Sequence, residues 1–133
     1  MRSWKDLEVF KSVDLNDSFV IGWKSSEESF FIDMDVSLWP GHSDYEEPKS
    51  NEYTCYKKAR LLFREPKNIE GLIPIQEVAP NKVKQGEIPD YDTIESFAVG
   101  KSGFHIVGGF GDVTLSAKEW AFKIAYKLNV DSN

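Results

Sequence analysis

A mainly β fold, an antiparallel sandwich or partly open barrel with one short N-terminal helix, is the class this sequence predicts. Apolar residues alternate with polar ones in several short runs, the period of a half-buried strand. Clusters of Gly, Pro, Asn, Asp and Ser punctuate those runs. With 133 residues and 41% apolar content, the chain can bury one packed core without a disulfide or a metal, so a single domain over 1–133 is expected.

The opening SWKDLEVF reads as the short helix. Ser3 and Asp6 stand as a capping box, and Trp4, Leu7 and Phe10 fall on roughly one face, placed to lid one end of the core. VDLNDS then supplies turn formers before the first strand. Phe19, Ile21 and Trp23 alternate with Val20, Gly22 and Lys24, and a second run alternates Phe30, Ile32, Met34, Val36 and Leu38. A loop over 26–29 makes these a hairpin in which Ile32 faces Trp23 and Met34 faces Ile21. The same register turns Asp33 and Asp35 to solvent.

Residues 39–52, WPGHSDYEEPKSNE, read as a long surface loop, a length usually reserved for function or disorder. From Tyr53 to Arg64 the residues Tyr53, Cys55, Lys57, Ala59, Leu61 and Phe63 form the inner face of a third strand, with burial beginning at Ala59 because Lys57 interrupts it. Pro66, Gly71, Pro74, Pro80, Gly86 and Pro89 confine the next stretch to loop and one short strand near 68–73; another short strand runs from Thr93 to Val99. Phe104, Ile106, Gly108 and Phe110 pair across a Gly111-Asp112 turn with Val113, Leu115 and Ala117. A further turn at Lys118-Glu119 sets Trp120, Phe122 and Ile124 opposite the same strand. A helix competes here, since Ser116 and Glu119 form a capping box and Trp120, Ala121, Ile124, Ala125 and Leu128 a helical stripe. Both periods fit 117–128, and the strand is preferred because it continues the meander. Hairpin and meander are expected to pack face to face around Phe19, Ile21, Trp23, Ile32, Met34, Val36, Leu61, Phe63, Ile106, Phe110, Leu115, Phe122 and Ile124.

The net charge of −6 opposes nucleic acid and anionic lipid and favours a basic protein partner. The charge is uneven: Glu27, Glu28, Asp33, Asp35, Asp44, Glu46, Glu47 and Glu52 face only Lys49 between Ser25 and Glu52. No run approaches the ~20 apolar residues that span a bilayer. With a lone Cys55 and an opening that lacks a secretory apolar run, a cytoplasmic location is expected.

Motifs with catalytic grammar are scarce. Asp33-Met34-Asp35 places two carboxylates on one side of a strand, where a cation could bridge them, although a solvated cross-strand pair with Lys24 explains them as well. His42 sits beside Asp44, Tyr45, Glu46 and Glu47, a mixture able to serve as base, ligand or partner contact, yet no HExxH or CxxC spacing accompanies it. Cys55 lacks a supporting nucleophile motif, and GGFGD reads as a hairpin turn rather than a phosphate cradle. No cofactor is expected. Trp39 falls on the outer face of its strand and precedes Pro40, so it stands as an exposed ring at the root of the acidic loop.

The stretch SLWPGHSDYEEP, followed by EYTCYKKARLLF, EGLIP and GGFGDV, resembles a family of small bacterial β-rich proteins over roughly Phe19 to Leu115. In size, acidity and β layout the chain is also similar to immunity proteins of polymorphic toxin systems; that likeness implies binding, with a toxin as the basic partner, and transfers no catalytic residue. The expectation is therefore a non-enzymatic binding protein that captures a basic partner through Trp39, His42, Asp44, Tyr45, Glu46, Glu47 and Glu52. The alternatives are a small metal-dependent hydrolase using Asp33, Asp35 and His42, or a β-barrel holding a small ligand.

Overall fold

Two alternating apolar runs separated by a polar three-residue link, 26–28, form the β2–β3 hairpin, β2 spanning Val13–Ser25 and β3 Ser29–Leu38. A computed structural model describes residues 1–81 and 88–124. In it the chain is mainly β, with two antiparallel sheets and no α-helix among the described residues. A two-residue strand β1 (Arg2–Ser3) precedes the hairpin, and β4 (Cys55–Arg64), β5 (Lys67–Leu72), β6 (Ile94–Val99), β7 (Phe104–Gly108), β8 (Gly111–Ser116) and β9 (Glu119–Ile124) follow it. One sheet has the order β1-β6-β7-β8-β5, the other β2-β3-β4-β9. They do not close into a barrel.

The expected N-terminal helix is instead a pair of 3-10 turns, Trp4–Asp6 and Glu8–Phe10. Leu7 between them is extended (φ −99°, ψ 131°), which interrupts the helical run. That break lets both Trp4 and Phe10 enter the core, their rings meeting edge to face at 6.1 Å. Ser3 does cap the first turn, its Oγ accepting from the Lys5 amide at 3.4 Å.

In the hairpin, Ile32 lies opposite Trp23 as the alternation predicts, but Met34 faces Val20 and not Ile21. Register shifts between Asp14 and Phe19 and between Val20 and Gly22 change the phase of β2. Leu15 and Val20 are consequently buried, whereas Phe19 and Ile21, expected in the core, are half-buried. Asp33 departs from expectation too. It points away from the core as the register demands, yet it is only 9% exposed, because Arg60 covers it. Burial on β4 also begins earlier than Ala59, at Cys55.

The C-terminal strands differ most from the expected meander. The β7–β8 turn is Gly109-Phe110, two residues earlier than the Gly111-Asp112 turn, with Gly108 opposite Gly111. A Cβ on Gly109 would collide with the Tyr91 carbonyl, and Gly111 has φ +123°, so glycine is required at both. The strand reading holds over 119–124, and 125–128 lies outside the described residues. β9 does not pair with β8, however. The Lys118 amide donates to Arg64 O at 2.9 Å, and β9 continues along β4, with Phe122 opposite Leu61. The free edge of β8 is taken by β5, Lys67 opposite Ser116. Thus β4–β5 and β8–β9 form one two-stranded ribbon that bends from sheet to sheet near Glu65, whose φ of 48° makes the corner.

The inner faces of the two sheets share one core. Phe63 of β4 meets Phe104 of β7 at 4.9 Å and Phe97 of β6 at 6.1 Å, and Trp120 packs edge to face on Phe97 at 5.5 Å. The opposite face of the β2-β3-β4 sheet and the loop after β3 remain for function.

Candidate binding groove

The outer face of the four-stranded sheet is set by pairing β3 with β4: Asp33 lies opposite Arg60, Asp35 opposite Lys58 and Ser37 opposite Tyr56. Opposite charges placed cross-strand attract, and each pair closes into an ion pair. Arg60 grips Asp33 with Nε–Oδ1 at 2.6 Å and a second bond at 2.9 Å, while its guanidinium lies 3.7 Å from the Phe31 ring centroid. Lys58 Nζ reaches Asp35 Oδ1 at 2.5 Å. Both carboxylates of the Asp33-Met34-Asp35 pair are therefore engaged by neighbouring cations.

The loop from Trp39 to Thr54 is tied down by successive turns. His42 N donates to Trp39 O, Tyr45 N to His42 O and Glu52 N to Lys49 O. The His42 ring is part of this framework, its Nδ1 accepting from the Asp44 amide at 3.0 Å. Tyr45 is half-buried against the core, and its phenol is pushed up by desolvation, then by Glu47 and Cys55. Cys55 is buried and accepts from the Glu46 amide at 3.4 Å, a structural role. Lys57, the residue that interrupts the inner face of β4, reaches Glu46 Oε2 at 2.6 Å. That contact lowers the Glu46 carboxyl and raises the Lys57 ammonium.

Between this loop and the outer sheet face lies an open groove of about 490 Å³. Asp35, Glu46, Glu47, Glu52 and Asp90 line it against Lys49, Lys57 and Lys58, and Phe19, Tyr56 and Ile88 supply apolar surface. Lys57 and Lys58 are paired with Glu46 and Asp35, which leaves Glu47, Glu52 and Asp90 against Lys49 among the lining residues. Glu47 has no salt-bridge partner among the described residues. The Phe19 and Tyr56 rings are 5.8 Å apart. Tyr56 is pushed up to about 12 by burial, followed by Asp17, Asp35, Glu52 and Tyr53.

The residues expected to form one binding surface are thus distributed. Glu46, Glu47 and Glu52 line the groove. His42 and Tyr45 shape the loop, and Asp44 is exposed on it. Trp39 is 53% exposed but opens onto a different groove beside the first 3-10 turns, because its amide bonds Ser12 O at 2.9 Å. Phe19, Tyr56, Ile88 and Asp90 were not singled out as site residues from sequence. For Tyr56 the signal was present in its outward phase on β4, in step with Lys58 and Arg60 and in register with the Asp35 side of β3; Ile88 and Asp90 carry no such pattern.

Among the described residues no group of three or more His, Cys, Asp or Glu side chains is placed to hold a metal ion. Comparison with protein-family models, curated proteins and solved structures found no match.

Proposed function

We propose that this protein is a non-enzymatic binding protein that captures a basic protein partner in the groove between the 39–54 loop and the outer sheet face. The observation that carries the reading is the composition of that groove: excess carboxylates beside the rings of Phe19 and Tyr56, on a loop tied by its own hydrogen bonds. Rings and carboxylates together suit a lysine or arginine side chain, which gains both cation–π and charge-assisted contacts. The same sheet face already holds Arg60 this way, between Phe31 and Asp33. An immunity-like role in the cytoplasm, with a toxin as the basic partner, is the finer form of this proposal. The scaffold we take to be an antiparallel sandwich, in which the two sheets face one another across the shared core. The hydrolase alternative draws less support, since Asp33 and Asp35 are each committed to a cation.

An arginine-rich peptide titrated calorimetrically at low and at physiological salt tests the reading. Saturable binding is expected, weakening as salt rises and again on Glu47→Lys. A peptide that fails to bind at low salt, or binds equally under every condition, would count against the groove.

A further inference from the structure

Trp39 opens onto a second groove, more apolar than the first and with lysines in place of most of its acids. It has a volume of about 620 Å³ and is lined by Trp4, Phe10, Val13 and Trp39, with Lys5 and Lys11 among its rim residues. Volumes of a few hundred cubic ångströms are typical of ligand sites. Both lysines are exposed and neither has a salt-bridge partner among the described residues, although Lys5 Nζ lies over the Trp4 ring, 5.8 Å from its centroid. Asp14 also lines the groove, but its Oδ1 accepts from the Asp17 amide at 3.3 Å.

The second, independent observation is the indole of Trp4. Trp4 is 6% exposed, and its Nε1–H has no acceptor among the described residues. Trp23, equally buried, donates its Nε1–H to Ile73 O at 2.8 Å. A buried donor without an acceptor costs about 1–3 kcal/mol, so such groups normally have a partner. Trp4 lines the groove, and a ligand seated there brings acceptors to it.

We infer that the Trp4–Trp39 groove binds an acidic peptide segment carrying an apolar or aromatic side chain. The side chain packs on the exposed Trp39 ring, an acceptor of the peptide takes the Trp4 Nε1–H, and its carboxylates meet Lys5 and Lys11. Lys5 lies within the first 3-10 turn and Lys11 caps the second, so the two charges come from different turns and can meet different carboxylates of one peptide. The complementarity is local and opposes the protein's net charge of −6. The inference stands apart from the acidic groove and does not depend on it.

The test titrates the full chain with a capped hexapeptide of alternating glutamate and phenylalanine, following tryptophan indole resonances by NMR. The Trp4 indole proton is expected to move downfield saturably. The glutamine–phenylalanine analogue should bind about tenfold more weakly, as should Lys5→Glu/Lys11→Glu and Trp39→Ala variants, whose melting temperatures should be unchanged. An unmoved Trp4 indole resonance, or equal binding by the glutamine analogue, overturns the inference. So does phenylacetate binding as tightly as the peptide, which would make the site one for small acids. Concentration-dependent shifts of Trp4 and Trp39 without peptide, with a doubled sedimenting mass, would make a second copy the occupant and also overturn it.

Discussion

Two cross-strand ion pairs on one sheet face show how burial changes the worth of a charge. Asp33 and Arg60 have side chains 12% and 15% exposed, whereas Asp35 and Lys58 are 30% and 38% exposed. Removing one member of a buried pair strands the other in low dielectric, so Arg60→Ala should cost about 3 kcal/mol in urea denaturation. Asp35→Ala should cost about 1 kcal/mol or less, since its partner keeps access to water. Equal losses would show that burial is not what separates them. Tyr56 gives a prediction at alkaline pH. Its phenol titrates near 12 rather than 10.0 because burial and surrounding carboxylates disfavour the phenolate. The unfolded chain then releases this proton first, so its stabilising contribution is complete below 10 and is lost as pH rises through about 12. In an absorbance titration, Tyr56→Phe should delete a late-ionising tyrosine and reduce the alkaline loss of stability.

At the scale of elements, glycines mark where strands bend and where they merely pass. Gly109 lies in the β7–β8 turn against the Tyr91 carbonyl, and a methyl group there forces backbone to move. Gly109→Ala should therefore destabilise by about 2 kcal/mol or more. Gly22 sits in the bulged part of β2, where a Cβ would meet only Ile75 Cδ1 at 3.9 Å. Gly22→Ala should be neutral or stabilise by up to about 1 kcal/mol, by restricting the unfolded chain. Thermal melts of the two variants should move apart; a common shift in the same direction would discount the bulge geometry. The candidate groove also belongs to this scale. Its acids on the loop are legible from charge density alone, but Phe19 faces it only because register shifts in β2 turned that ring outward. Asp35 and Tyr56 were legible as outward-facing residues and became neighbours through the β3–β4 register.

For the whole molecule, the bent ribbon of β4–β5 with β8–β9 joins distant parts of the chain in both sheets. Loop closure must precede such contacts, so refolding should take milliseconds to seconds rather than microseconds. Stopped-flow tryptophan fluorescence measures this directly, and a microsecond phase with full amplitude would contradict the topology. Leu61→Asp, at the fully buried centre of the ribbon, should abolish cooperative folding by burying an unpaired charge. The two grooves also differ in the charges that line them: five acids with three lysines beside the 39–54 loop, and two lysines with Asp14 beside the 3-10 turns.

The β class of the chain, the inward alternation on β3 and most of β4, and the acid-rich 39–52 loop are all legible in the residues alone. These are local properties: side-chain period is fixed at two along a strand, and turn residues announce themselves by their backbone preferences. Over 117–128 both a strand and a helix fit the sequence, with the strand preferred, and the structure has a strand over Glu119–Ile124. The strand that β9 pairs with is set by long-range packing. Local rules favour the nearest strand, but β8 already had β5 on its free edge, and Trp120, Phe122 and Ile124 continue the inner face of β4. The phase of β2 was likewise decided by where bulges fall, and the N-terminal turns by the insertion of both Trp4 and Phe10 into the core. Trp39 left the acidic loop's groove for the same kind of reason: a backbone bond to Ser12, remote in sequence, holds it elsewhere.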